Sequence, residues 1–163
     1  MSPISRAANV VSIGHAFLRE DRMSELQEIC DARRAAACIL KLPPSYWLWE
    51  NAETRLQRFQ LDWQKKQPCP LTIDSGREEP SASVRKDFNW VADPFWVPTR
   101  QYSRSKVWRI HGWHEVRWVR RYSESQLLKL ATAIRKWKPE FVILVHSQRV
   151  PQIEELQALL HHS

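Results

Sequence analysis

Glycine is nearly missing from this 163-residue chain. Three are present, Gly14, Gly76 and Gly112, where average usage would place about eleven. They stand far apart, so the chain holds neither a G-x-G-x-x-G turn nor a G-x-x-x-x-G-K-[ST] loop. Both loops need a backbone without side chains to close around phosphates. A Rossmann or Walker-type nucleotide site is therefore excluded. Cysteine is also scarce: Cys30, Cys38 and Cys69 are odd in number and include no C-x-x-C pair, which excludes a zinc-ribbon or redox motif. Three free thiols fit a reducing, cytoplasmic setting. Long apolar runs are absent too. Phe141 to Val145 is typical, whereas a membrane span needs about 20 residues, so no membrane partner is expected. Acidic residues are missing before Glu20, where Ser5, Arg6, Ser12 and Arg19 are scattered among apolar residues. That pattern reads either as an organelle-targeting segment over residues 1 to 19 or as a structural first helix; a secretory h-region is not present.

What is present is an ordinary apolar and charged fraction, 43% and 26%, enough for a globular core without disulfides or metal. Set on it are nine tryptophans and a net charge of +7. The charge is unevenly spread. Residues 1 to 85 carry 12 basic against 11 acidic side chains, whereas residues 86 to 163 carry 13 against 7. Residues 100 to 138 alone hold 11 basic side chains and only Glu115 and Glu124 as acids. Between the halves, residues 67 to 85 mix proline, serine and charge without period, as a linker or long loop does.

The first 66 residues read as a helical region. Asp21 or Ser24 can cap a helix carrying Leu26, Ile29, Cys30, Ala37 and Leu40, which Pro43 and Pro44 stop. Ser45 opens a second, with Trp49, Ala52, Leu56, Phe59 and Trp63 at three- and four-residue spacing. This stripe either packs on neighbouring helices or meets a protein partner. Tyr46, Trp47, Leu48 and Trp49 are consecutive and cannot all face one core, so Tyr46, Trp47, Trp49 and Trp63 are the candidate partner-binding residues.

Residues 86 to 163 read as a basic α+β domain, and the whole chain as α+β: a helical N-terminal region followed by a small mixed sheet with a β-hairpin and a βαβ unit. The hairpin joins Lys106–His111 to Glu115–Tyr122 through Gly112, Trp113 and His114. Its register sets Trp108 against Trp118 on a core face, and Arg109, Arg117 and Arg121 on a cationic one. Ser123 and Gln126 form a capping box for a helix reaching about Trp137. Phe141 to Val145 suits a strand buried on both faces, and Pro151 can start a last helix.

Arginine outnumbers lysine 17 to 8, and its planar fork grips phosphate and stacks on bases. Tryptophan and tyrosine interleave with it, as in surfaces that stack unpaired bases while cations track the backbone. The expected function is non-catalytic binding of nucleic acid, single-stranded or RNA, in a nucleoprotein complex. The candidate contacts are Arg104, Lys106, Arg109, His111, Trp113, Arg117, Arg120 and Arg121. An adaptor that binds an acidic partner surface is the alternative. A small nuclease or hydrolase is the second, since Asp93 with Glu115-x-Arg117 resembles a nuclease pattern; arginine in the lysine position cannot act as a base. His146 follows a buried strand, where open α/β sheets place ligands. His111, His114 and Glu115 flank a turn at a spacing that is weak for a metal, with no further ligand such as a paired Cys, so no metal, catalytic residue or cofactor is assigned.

Overall fold

The computed structural model describes residues 9–18, 22–66, 69–75, 88–95, 105–111, 121–145 and 149–161. They form two compact units, Ala7–Trp90 and Val91–Ser163. Each holds a three-stranded parallel sheet whose strand order follows chain order.

In the first unit, β1 (Val10–Gly14) leads through a 3-10 turn to α1 (Met23–Ala32) and then to β2 (Ala37–Lys41). A second 3-10 turn, Pro44–Leu48, precedes α2 (Ala52–Lys66), and β3 (Leu71–Asp74) closes the sheet. Register aligns Val11 with Cys38 and Leu71, and Ile13 with Leu40 and Ile73. These side chains form one core with Met23, Leu26 and Cys30 of α1 and Leu56, Phe59 and Trp63 of α2, so both helices cover the same face. On the opposite face Ile39 and Thr72 are buried as well. A strand covered on both sides reads as an unbroken apolar run.

That run corrects the expectation of an all-helical region over residues 1 to 66. Ala37–Leu40 lies in β2, and the helix begun at Met23 stops at Ala32. It ends in a Schellman motif, with the Ala35 N–H on the Cys30 carbonyl at 2.9 Å and the Arg34 N–H on the Asp31 carbonyl at 3.0 Å. The motif requires a left-handed residue, and Arg34 supplies it at φ 48°. The second helix also starts later than Ser45, after Asn51 at φ 59°. β3 falls within the stretch 67 to 85 expected to be loop.

The second unit contains β4 (Val91–Ala92), β5 (Val107–Ile110), α3 (Glu124–Trp137), β6 (Phe141–Leu144) and α4 (Arg149–His161). Ala92, Trp108, Ile110 and Leu144 pack with Leu127, Leu130, Ala131 and Ile134 of α3 and Leu156 of α4. The capping box forms as expected: the Ser123 hydroxyl accepts from the Gln126 N–H at 3.3 Å, and Gln126 Oε1 accepts from the Ser123 N–H at 2.8 Å. Lys138 ends the helix in the left-handed region at φ 48°. The βαβ unit is present as β5–α3–β6, with Val107 opposite Phe141 and Ile110 opposite Leu144.

The mixed sheet with a hairpin is corrected. β5 lies between β4 and β6, parallel to both, so both edges of Val107 and Trp108 are already paired and Trp108 cannot face Trp118 across an antiparallel turn. Most of the expected second arm, Glu115–Tyr122, lies outside the described residues, as does the expected loop of Gly112, Trp113 and His114. β6 is paired along β5 alone in the described sheet, and Phe141, Val142 and Ile143 are partly exposed rather than buried on both faces.

Candidate functional site

The carboxyl ends of β4 and β5 in the second unit bring polar groups together. Asp93 directly follows β4, and its carboxylate is 6% exposed. Oδ1 accepts the Phe95 N–H at 3.0 Å and Oδ2 accepts the His111 N–H at 2.8 Å. The His111 ring adds a third approach, Nδ1 lying 3.5 Å from Oδ2. This atom is buried while the His111 side chain as a whole is 32% exposed. A buried carboxylate costs several kcal/mol unless hydrogen bonds compensate it, and two backbone donors supply that compensation here.

Behind the pair stands Tyr122. Its hydroxyl donates to the Ile110 carbonyl at 2.7 Å, and its ring stacks on Phe95 with centroids 6.4 Å apart. Burial, with the nearby Asp93 charge, pushes the phenol well above its ordinary pKa, so it remains neutral. The Gln152 side chain, with no exposed surface, binds the Tyr122 peptide from both sides: Oε1 accepts its N–H at 2.7 Å and Nε2 donates to its carbonyl at 2.8 Å.

The residues expected to bind nucleic acid fall into three groups. Arg104, Trp113, Arg117 and Arg120 lie outside the described residues, as do His114, Glu115, Trp118 and His146. Lys106 and Arg121 are each matched to a carboxylate, Lys106 Nζ with Glu140 at 2.8 Å and an Arg121 amino nitrogen with Glu155 at 2.5 Å. Arg109 and His111 sit on β5 and just beyond its carboxyl end. Arg109 alternates with the buried Trp108 and Ile110, which puts it on the face of β5 opposite α3. Arg109 and Arg121 thus belong to β5 and to the approach to α3, and the shared hairpin face proposed for them is replaced by the parallel pairing.

Of the residues expected to bind a partner, Tyr46 and Trp63 are core. They are 0% and 2% exposed, Tyr46 donating to the Ala52 carbonyl at 2.6 Å and Trp63 Nε1 to the Cys69 carbonyl at 2.9 Å. Buried aromatic side chains with polar tips are satisfied in this way, which withdraws both from a partner surface. Trp47 and Trp49 are partly buried against Tyr46, with ring centroids 5.2 and 5.0 Å away. Leu48 is the outward member of the four, 86% exposed.

Cys30, Cys38 and Cys69 are buried and free in the first core. Burial raises all three thiols, Cys69 to about 11, and a thiol held neutral is a poor nucleophile and ligand. Among the described residues no three His, Cys, Asp or Glu side chains are grouped as a metal ion requires. No described helix is long and apolar enough to cross a membrane.

Gln152 and Phe95 carried no sequence signal, because a glutamine clamp on a peptide thirty residues away has no spacing rule. Asp93 had one: an acid directly after a short apolar strand is at the end where parallel sheets gather ligands. No family model matches the chain, and no curated protein matches its sequence.

Proposed function

We propose that the protein binds nucleic acid, single-stranded or RNA, at the carboxyl edge of the sheet in its second unit. The observation that supports this reading is the distribution of positive charge along the chain relative to the strands. The connection that follows β4 contains Arg100 and Arg104 and ends on Lys106 at the amino end of β5, where it meets Glu140; the connection that follows β5, residues 111–123, contains Arg117, Arg120 and Arg121, the last on Glu155, and the acids of the two connections are Asp93 and Glu115. Asp93 is buried on backbone donors, which keeps its oxygens from direct contact with a phosphate. Arginine and aromatic residues in the same connections supply bidentate phosphate contacts and stacking area.

Anisotropy titration of a labelled single-stranded RNA, and of DNA of the same sequence, over a salt series tests the proposal. Binding through phosphates gives an affinity that falls with salt, with a slope of about 0.7 per phosphate neutralised on single strands. Replacing Arg100, Arg104, Arg117 and Arg120 together by Gln should reduce that slope by up to about three. Affinity and slope unchanged in this variant would sink the proposal and leave an adaptor for an acidic partner surface as the better reading. The Asp93–His111 contact favours one further reading, phosphodiester hydrolysis with His111 as acid or base. Recovering the RNA intact after prolonged incubation would dismiss it.

A further inference from the structure

We infer that the carboxyl end of the first sheet holds a phosphate contact of its own, in which Lys41 takes a phosphate of the bound strand at the space that Gly14 leaves open; the inference rests on the nucleic-acid reading above. Register sets Gly14 of β1, Lys41 of β2 and Asp74 of β3 in one row at that end. The row belongs to the face opposite α1 and α2, two residues beyond Ser12, Ile39 and Thr72. Gly14 and Lys41 are exposed, whereas Asp74 is buried, so the row offers solvent its cation rather than its carboxylate. Lys41 makes no ion pair among the described residues.

Gly14 is the second observation. In a chain with three glycines, this one sits in a strand, where glycine loses the most backbone entropy and has no side chain to pack. The usual structural reasons for it are missing. Its φ lies outside the left-handed region. The ladder passes through it in unbroken register, from Val10 opposite Ala37 to Gly14 opposite Lys41, so no bulge requires it. A Cβ built on it would meet no atom of the described residues within 4 Å, its chain neighbours apart, so crowding does not exclude a side chain. The reason that remains for glycine in a strand is the close approach of a ligand or another chain. The open position lies one strand away from the Lys41 backbone, about 4.8 Å, and a lysine ammonium is a point charge that binds phosphate without a fixed orientation. Parallel sheets gather ligands at this end.

The test uses the full chain and the labelled single-stranded RNA of the salt series above. Lys41→Gln should lower the salt slope by about 0.7, the value for one phosphate on a single strand. It should weaken binding roughly two- to fivefold at low salt, the share of one exposed ion pair, and Lys41→Arg should keep both. Gly14→Val retains the lysine and fills the space beside it, and should weaken binding to a similar extent. With Lys41→Gln in the same chain the loss should be no larger than in the worse single variant, because both changes remove one contact. Valine suits an extended strand, so the urea midpoint of Gly14→Val should equal or exceed that of wild type, which separates obstruction from misfolding. Lys65→Gln, at an exposed lysine beside Asp62 on α2, is the control for a general loss of positive charge. A Lys41→Gln slope no lower than that of Lys65→Gln, or a folded Gly14→Val protein that binds like wild type, would overturn the inference; loss of slope in the variant lacking the four arginines would then keep the binding proposal standing. Absence of RNA affinity in wild type would overturn both.

Discussion

Gln152 holds the backbone of Tyr122 by both of its polar groups, 2.7 Å to the N–H and 2.8 Å to the carbonyl, with no part of the glutamine exposed. The pairing imitates a strand contact with a side chain, tying α4 to the segment that enters α3. It thereby sets where Tyr122, and through it the Ile110 carbonyl beside His111, comes to rest.

Gln152→Leu fills much the same space without either polar group. It leaves one buried N–H and one buried carbonyl unpaired, each costing about 1–3 kcal/mol. Urea denaturation should show a loss of about 2–5 kcal/mol. A loss under about 0.5 kcal/mol would mean that the clamp is replaced by water at little cost.

Phe59 is buried in the first core beside Trp63, with ring centroids 6.0 Å apart. Phe59→Ala should cost about 3–5 kcal/mol by loss of buried area and a residual cavity. In a thermal melt that is a clear fall of the midpoint. Leu61→Ala on the same helix serves as control, because Leu61 is largely exposed and surface changes usually stay within about 0.5 kcal/mol.

Arg34 and Lys138 occupy the left-handed region at helix ends, both at φ 48°. A side chain is strained there and glycine is not. Arg34→Gly and Lys138→Gly should each stabilise the protein by about 0.5–1 kcal/mol, even though glycine elsewhere in a helix destabilises. Equilibrium unfolding of the two single variants and their double checks both sign and additivity.

Raised acid groups give the first unit a defined response to alkali. Burial lifts Cys69 from its ordinary 9.0 to about 11 and Tyr46 from 10.0 to about 12. The unfolded chain loses these protons first, so the stabilisation is complete below about pH 9 and is lost as pH rises through 9–11 for the thiol and 10–12 for the phenol. Melting temperature should therefore decline above pH 9. Cys30 and Cys38, raised by burial as well, share in the decline from about pH 9, so Cys69→Ala should remove one part of its slope between pH 9 and 11, and a decline of the same steepness in the variant would refute the assignment.

The parts readable from local spacing were those whose partners are local. The Ser123–Gln126 box stands as read, and of the stripe Trp49, Ala52, Leu56, Phe59 and Trp63 all but Trp49, which lies before the helix, share its buried face; both need only residues three and four apart. β2 was missed because Ala35 to Leu40 is apolar without alternation, a pattern that suits a doubly covered strand and a buried helix equally. β5 was recognised, but its neighbours were not. The partners of Val107 are Val91, sixteen residues before it, and Phe141, thirty-four after it, and no periodicity near Val107 points to either. The scarcity of glycine hid one helix end as well: the left-handed cap after α1 is Arg34, a residue that carries no stop signal, whereas the end of α3 at Trp137 was legible from Pro139. Asp93 and His111 were both noticed from the chain, but only the parallel pairing of β4 with β5 sets them side by side.

That each sheet runs in chain order has a consequence for how the protein is made. β2 joins an edge that β1 already offers, and β3 one that β2 offers; β5 and β6 follow β4 in the same way. No strand within a unit must be inserted between two that have already paired. Each can dock as it leaves the ribosome, with the helices that join β1 to β2, β2 to β3 and β5 to β6 ready to cover the face just formed, so synthesis from the N-terminus and assembly of the sheet proceed in the same direction.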